Sequence, residues 1–300
     1  MLPPFIRQAG FTLIEMVMVI VITGILGATI AVFLRAPVQG YMDSARRAEL
    51  SDIADAAIRR MARDVRTAVP NSVRIANCGA NPCVEYLPAK DGARYRDNPA
   101  GGSGGCAAAG DELDFTAPDT CFEVIGSALT LLAGDQIVVG SVQSDGNPAY
   151  QDPAAAACGA ANADCIRRAV AAAGVGVTQQ IRVTSSYALP ASSRLPSQRF
   201  DVVNGAQQAV TYTCEGAAGV DSKGNGTMQL KRYWRYGFNP VQLNPPSGGQ
   251  SAILADKISN CSIDYGIANQ RFGLLAVRLT LTSGGESVSL YNEIHVNNSP

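Results

Sequence analysis

The longest apolar stretch of the chain lies near its N-terminus. Residues 11–34 read FTLIEMVMVIVITGILGATIAVFL and contain one charged side chain, that of Glu15. As a helix rising 1.5 Å per residue, this stretch would be about 36 Å long, enough to cross a hydrocarbon core of about 30 Å. The pattern therefore predicts a transmembrane and assembly helix over residues 11–35.

A second, amphipathic helix is predicted over residues 36–70. Its apolar residues recur every three to four positions, as on one helix face: Met42, Ala45, Leu50, Ile53, Ala57, Met61, Val65 and Ala68. Acidic side chains lie early in this segment and arginines late, an order that suits the helix dipole. Pro70 is expected to end the helix, and Pro37 to bend the joined helix.

The chain changes character at about residue 178. Residues 71–178 predict a cysteine-rich, variable region with short strands at 111–115, 121–125 and 136–142 and a short alanine-rich helix over 154–173. Residues 179–300 predict a β-sheet head with strands at 180–185, 209–215, 228–236, 261–265, 274–282 and 286–296 and hairpin turns at 224–226 and 283–285. We therefore predict an α+β fold, in which a long N-terminal helical spine packs on a C-terminal antiparallel β-sheet head with a disulfide-rich, irregular insertion.

All eight cysteines follow the apolar run: Cys78, Cys83, Cys106, Cys121, Cys158, Cys165, Cys214 and Cys261. An even number of cysteines after an export-type segment favours disulfides. Zinc binding is less favoured, because zinc sites typically use C-x2-C spacing or histidine ligands. Nearest-neighbour pairing (78–83, 106–121, 158–165, 214–261) is the simplest of the 105 possible. On one helix, Cys158 and Cys165 would lie about 10 Å apart. Either a loop intervenes between them or they pair elsewhere.

Composition gives little support to catalysis or nucleic-acid binding. The net charge is −1, and the single histidine, His295, has no nucleophile in a motif around it. Residues 221–226 resemble a calcium loop faintly, but Lys223 stands where an oxygen ligand is needed, so a hairpin turn is favoured. Residues 231–236 interleave cations and aromatics, and packing of Trp234 and Tyr236 against the spine is favoured over binding of a single-stranded nucleic acid. No cofactor, metal or catalytic residue is predicted.

Glu15 is the unusual feature of the apolar helix. A plain membrane anchor gives no reason for an acid there, and a secretory signal cleaved near Gly27 and Ala28 would be unusually long. The stretch Gly10-Phe-Thr-Leu-Ile-Glu15 resembles the class III signal of type IV pilins and type II secretion pseudopilins. The resemblance implies a leader of residues 1–10, cleavage after Gly10 by a prepilin peptidase, N-methylation of Phe11, and an assembly role for Glu15.

The chemistry of such a processed end fits Glu15. Cleavage would create an α-amino group with a reference pKa of about 7.7–8.0, which is cationic at neutral pH. Glu15 of one subunit could pair with this amine on a neighbouring subunit and set the register between helices. Small residues four positions apart, Gly24 with Ala28 and Gly27 with Ala31, could let helices approach closely. An equally good explanation is that small residues are common in membrane spans.

Two further segments resemble a narrower group. Residues 48–75, with the run RRMARDVRTAVPNSVR, and the end IHVNNSP resemble minor pilins of mannose-sensitive haemagglutinin (MSHA) pili and J-type pseudopilins. The leader carries one charge, Arg7, and the apolar helix lacks an internal proline, which is more typical of minor subunits.

The resemblance also implies a location and partners. The subunit would sit in the bacterial inner membrane, with its N-terminus cytoplasmic and its head periplasmic, before entering a pilus. Its partners would be other pilins or pseudopilins, the prepilin peptidase and the inner-membrane assembly platform. A membrane-anchored adhesin stays open as an alternative, whereas a tethered enzyme would need a polar cluster that the sequence does not show.

Overall fold

In the computed structural model, the described residues are 10–98, 110–142, 148–151, 158, 165–266 and 273–299. The chain divides into two compact units, Met1–Glu49 and Leu50–Pro300. The first unit contains most of one long helix, and the second contains the end of that helix and all the strands. The predicted α+β class is confirmed.

One helix, α1 (Leu13–Arg66), covers both predicted helical segments. It continues through Pro37, so the bend expected there stays a prediction. It ends four residues before Pro70, because the backbone of the next residues takes new partners. The amide of Val69 donates to the carbonyl of Leu87 at 2.8 Å, and the amide of Ala89 donates to the carbonyl of Thr67 at 2.8 Å.

The larger sheet is antiparallel and has six strands in the order β1-β10-β11-β12-β13-β14. These strands are β1 (Cys83–Tyr86), β10 (Val210–Glu215), β11 (Met228–Trp234), β12 (Gln250–Asp264), β13 (Leu274–Ser283) and β14 (Glu286–His295). The predicted turn between β13 and β14 is a two-residue hairpin. Gly284 and Gly285 occupy it with φ of 58° and 86°, values that glycine adopts without strain.

The C-terminal part of α1 packs on one face of this sheet. Buried helix residues at spacings of three and four meet buried strand residues in one core cluster. The cluster includes Leu50, Ala54, Ile58, Met61 and Val65 from the helix and Tyr212, Leu230, Leu279 and Leu281 from the sheet. From Leu50 onward, the apolar stripe predicted from the sequence packs on the sheet, whereas its first residues, Met42 and Ala45, are exposed. Each large side chain buried there contributes about 1.5–3 kcal/mol.

The second sheet is a closed barrel with the strand order β2-β3-β8-β6-β5-β9. Its strands are β2 (Ala89–Tyr95), β3 (Cys121–Ile125), β5 (Gln136–Val139), β6 (Arg167–Val170), β8 (Gln180–Thr184) and β9 (Arg199–Val203). A two-stranded ribbon of β4 (Leu129–Leu131) and β7 (Gly176–Thr178) adjoins it. The barrel interior is apolar, with Phe122 and Phe200 packed edge to face at 5.4 Å between ring centroids.

The barrel is the main difference from the sequence prediction. Residues 71–178 were expected to be largely irregular, and the boundary predicted at residue 178 falls within the barrel, since β8 and β9 follow it. The strands of the barrel are only four to seven residues long, which leaves too few positions for a clear period of two. Closure of the barrel joins residues that lie far apart in the sequence, such as Ala89 and Val203.

Several predicted elements need correction. Residues 111–115 do not form a strand, because the carboxylates of Asp114 and Asp119 bind backbone amides locally and hold the segment in turns. The helix predicted over 154–173 lies mostly outside the described residues, and its end is strand β6. Strand β12 begins eleven residues before the predicted strand at 261–265. Its alternation is broken by an irregularity in pairing near Ile258 and by Lys257 at a φ of 55°.

Three disulfides agree with nearest-neighbour pairing. They join Cys78 to Cys83, Cys158 to Cys165 and Cys214 to Cys261, with Cα separations of 5.4, 5.5 and 6.4 Å. The short separation of Cys158 and Cys165 fits the alternative in which a loop, not one helix, connects them. Cys121 is disulfide-bonded, and its predicted partner Cys106 lies outside the described residues.

Candidate functional site

The predicted processing site lies at the start of α1. Gly10 and Phe11 are exposed and precede the helix, and the Phe11 side chain is 84% exposed. Thr12 and Glu15 form a reciprocal cap at the first turn. The amide of Glu15 donates to Oγ1 of Thr12 at 3.3 Å, and the amide of Thr12 donates to Oε2 of Glu15 at 3.2 Å.

This arrangement is a capping box, the S/T-x-x-E pattern that satisfies two free amides at a helix N-terminus. It was present in the sequence as Thr12-Leu-Ile-Glu15 and was missed by the sequence analysis. Glu15 therefore has a role within its own helix. Any assembly role of its charge has to be separated experimentally from this local one.

The apolar part of α1 is exposed along its whole length. This part of the helix is long and apolar enough to cross a membrane, and its most apolar stretch is not buried against the rest of the chain. The hydroxyls of Thr23 and Thr29 donate back to helix carbonyls, with Thr23 Oγ1 lying 2.6 Å from the carbonyl oxygen of Val19. These polar groups are therefore satisfied without water, as an apolar environment requires.

The small residues proposed for helix packing are also exposed. Gly24, Gly27, Ala28 and Ala31 all lie on α1 with no neighbour covering them. A methyl group added at Gly24 or Gly27 would meet no atom within 4 Å. The chain itself therefore does not need glycine at these two positions. Close packing of another helix there stays a prediction.

A polar cluster holds the end of the spine to the sheet. Asp64 on α1 accepts a hydrogen bond from the hydroxyl of Tyr212 at 2.6 Å and from Nε of Arg232 at 3.1 Å. Burial, followed by the hydrogen bond to Asp64, raises the pKa of Tyr212. No local sequence pattern connects these residues, because Tyr212 and Arg232 lie 148 and 168 positions from Asp64.

The packing against the spine predicted for the segment 231–236 fits Trp234 but not Tyr236, whose neighbouring cluster contains no residue of α1. Trp234 packs against the core cluster that contains the helix residues, and Tyr236 packs against a neighbouring cluster around Leu87 and Tyr150. Lys231 forms an ion pair with Glu215 at 2.8 Å, so its cation is already engaged by an acid.

The loop at 221–226 is the predicted hairpin turn. The carboxylate of Asp221 accepts the amides of Lys223 and Asn225, both at 2.8 Å. These bonds lower the pKa of Asp221, with the amide of Asn225 as the largest cause. Among the described residues, no group of three or more His, Cys, Asp or Glu side chains could hold a metal ion.

Comparison with known proteins identifies one segment. Residues 6–31 match the model of the prokaryotic N-terminal methylation motif, which spans Gly10, Phe11 and Glu15. No curated protein and no solved structure matches the chain. The motif indicates a type IV pilin- or pseudopilin-like protein. Such a motif is the signal that prepilin peptidase recognises in its substrates, which suggests a structural subunit. The apolar helix that follows the signal suggests anchoring in a membrane.

Proposed function

We propose that this protein is a minor pilin, incorporated near the tip of a type IV pilus of the MSHA kind and helping to initiate pilus assembly. The observation that carries the proposal is the methylation motif at the head of an exposed, apolar helix. Other minor and major pilins, the prepilin peptidase and the inner-membrane assembly platform are the proposed partners. Before assembly, the N-terminus would be cytoplasmic and the head periplasmic.

The size of the head supports a minor rather than a major subunit. The second unit carries a six-stranded sheet and, in addition, a closed barrel. A major subunit repeats many times with tight lateral packing, and a large extra barrel would obstruct such packing. A subunit present once at the tip meets no such restriction.

Within this class, the resemblance of residues 48–75 and of the C-terminal end favours the MSHA biogenesis minor pilin MshO. A J-type pseudopilin of a type II secretion tip is the alternative, since it shares the same helix pattern. Gene neighbourhood distinguishes the two, because MSHA genes and general secretion genes form different clusters.

Glu15 would act by charge during assembly. After cleavage before Phe11, the methylated amine of a neighbouring subunit is a cation in an apolar environment, where both charges are costly unless paired. The capping box competes for the same carboxylate but contributes only about 1 kcal/mol. Intersubunit pairing can therefore displace the local hydrogen bond to the amide of Thr12.

Mass spectrometry of the purified mature chain tests the processing step. We expect an N-terminus at Phe11 carrying one methyl group when the protein is produced with a prepilin peptidase. A chain that keeps Met1 under these conditions, or one cut near Ala28, would contradict the proposal.

Two substitutions separate the charge of Glu15 from its cap. Glu15→Gln keeps a side chain that can complete a capping box but removes the charge, whereas Glu15→Val removes both. We expect both variants to lose co-assembly with partner pilins, measured by co-purification of crosslinked subunits. If Glu15→Gln assembled like the original chain while Glu15→Val failed, Glu15 would act only as a cap.

A further inference from the structure

Two cavities adjoin at Lys90 in the second unit, where the last turns of α1 approach strands β2 and β9. One has a volume of about 310 Å³ and the other about 260 Å³, and Thr67, Ala89 and Lys90 line both. We call the pair the Lys90 cleft. Together the two cavities are large enough to hold a small polar molecule.

The cleft is rich in cationic groups, contributed by the helix end and by both sheets. They are Arg60, Arg66, Lys90, Arg199 and Arg232. Asp64 engages Arg232 at 3.1 Å, and Lys90 forms an ion pair with Asp135. Within the part of the chain that the structure describes, the side chains of Arg66 and Arg199 form neither a hydrogen bond nor an ion pair. Arg66 and Arg199 both line the larger cavity, and Arg199 acts on Asp201 only through its charge.

The cleft also offers a hydrogen-bond acceptor. Asp201, on the same face of β9 as Arg199, lines the larger cavity and is only partly exposed. No described group donates a hydrogen bond to its carboxylate. A carboxylate held mostly out of water without a donor is costly, and a hydroxyl from a bound molecule would satisfy it.

Tyr86 lies beside the smaller cavity and carries a buried hydroxyl. The side chain of Tyr86 lines this cavity, and its hydroxyl has no hydrogen-bond partner among the described residues. Tyr86 is fully buried, so an unpaired hydroxyl there is unusual. The hydroxyl is closed off from solvent, so it is not among the groups that a molecule in the cleft would contact.

The combination of groups restricts the ligand. Guanidinium groups bind carboxylates through paired hydrogen bonds. Asp91 and Asp201 also line the larger cavity, where they would accept hydrogen bonds from hydroxyls and repel a doubly charged phosphate more strongly than a singly charged carboxylate. We propose that the Lys90 cleft binds a uronic acid, a sugar that carries one carboxylate and several hydroxyl groups. Arg66 and Arg199 would hold the carboxylate, and Asp201 a pair of hydroxyls. This proposal does not depend on the role in pilus assembly.

Isothermal titration of the full-length protein in neutral detergent micelles at pH 7 tests the proposal. The probes are galacturonate, its neutral counterpart galactose, inorganic phosphate, and polygalacturonate as the polymeric source of the same chemistry. We expect galacturonate to bind at least about tenfold more tightly than galactose. Galactose lacks the carboxylate, and loss of a charge-assisted hydrogen bond typically weakens binding by about this factor. Tighter binding of polygalacturonate would identify the polymer as the preferred source, whereas equal affinity per sugar would identify the free sugar.

Variants locate the binding to the cleft. Arg199→Gln and Asp201→Asn should each weaken galacturonate binding by about tenfold. The control is Arg182→Gln, which changes an arginine on β8, a strand that pairs with neither β2 nor β9. A single cooperative thermal transition, no lower than that of the original chain, shows that each variant is folded. Arg66→Gln replaces Arg199→Gln if the latter unfolds.

Three results would overturn the proposal. They are no heat of binding with any uronate, equal affinity for galacturonate and galactose, and galacturonate binding that survives both Arg199→Gln and Arg66→Gln. Phosphate binding as tight as that of galacturonate would likewise show a general anion site in place of a sugar site.

Discussion

The guanidinium of Arg74 and the carboxylate of Glu85 form an ion pair that is almost completely removed from solvent. Nε of Arg74 lies 2.6 Å from Oε2 of Glu85, and the two side chains are 3% and 0% exposed. Arg74 also donates to the carbonyls of Asn239 and Pro240 and stacks 3.6 Å above the ring of Tyr150. The pair thus ties strand β1 to the loop after β11 and to the short turn of helix that precedes the barrel strand β6.

Removing one partner of this pair should destabilise the second unit strongly. Arg74→Met would leave Glu85 buried without its cation, which typically costs about 3–5 kcal/mol. The double variant Arg74→Met with Glu85→Gln should recover part of this loss, because no unpaired charge remains. Urea unfolding can be followed by the fluorescence of Trp234, the only tryptophan. Equal destabilisation by the single and the double variant would show that the charge itself is unimportant.

The pair illustrates which features could be predicted from the sequence. The stripe from Leu50 to Val65 and the alternation in β13 were readable, because helix and strand periods are local properties of the chain. Arg74 and Glu85 carry no local sequence signal that they pair in the interior. Their partners include Tyr150 and Pro240, which only the folded chain brings close. The barrel was missed for the same reason, since its short strands carry little local pattern and pair across long distances.

The residues of the candidate site also differ in whether the sequence alone reveals them. Gly10, Phe11 and Glu15 were recognisable because processing is read from a linear motif. The link between Asp64 and Tyr212 was not, because a helix carboxylate and a strand tyrosine give no local signal of meeting. The capping box of Thr12 and Glu15 was readable and was overlooked, since the acid was considered only as a charge in an apolar helix.

Asp201 should make the stability of the second unit depend on pH. Burial raises its pKa from 3.8 to about 6, and the charge of Arg199 opposes this only partly. The folded chain therefore binds more protons than the unfolded chain between about pH 4 and 6, so this group lowers stability as pH rises through that window. Asp201→Asn should raise stability at pH 7 by about 1–2 kcal/mol, allowing for partial exposure.

The measurement for Asp201 is urea unfolding at pH 4, 5, 6 and 7 for both chains. The difference between them should grow with pH and level off above about pH 6. Asp221→Asn is the control of opposite sign, because the pKa of Asp221 is lowered in the fold. Its contribution is present at neutral pH and lost as pH falls. A constant difference between the Asp201 variant and the original chain would refute the assignment.

The disulfides should differ in their contribution to stability. Cys214 and Cys261 are 47 residues apart, whereas Cys78 and Cys83 are 5 apart. Chain-entropy arguments give about 4 kcal/mol for the long loop and about 2 kcal/mol for the short one. Paired Cys→Ala variants of each bridge, compared by urea unfolding, should reproduce this order. A larger loss from the short bridge would show that native contacts, not loop entropy, dominate.

The hydrogen bond from Tyr212 to Asp64 should contribute to docking of the helix on the sheet. Tyr212→Phe removes a hydroxyl that donates to a carboxylate in a half-buried position, and such bonds contribute about 1.5–3 kcal/mol. Tyr233→Phe is the matched control, since its hydroxyl also donates to a carboxylate, that of Glu215, from the more exposed side of the sheet. We expect a loss below about 1 kcal/mol there. Equal losses for the two variants in urea unfolding would show that the helix contact adds nothing beyond an ordinary surface bond.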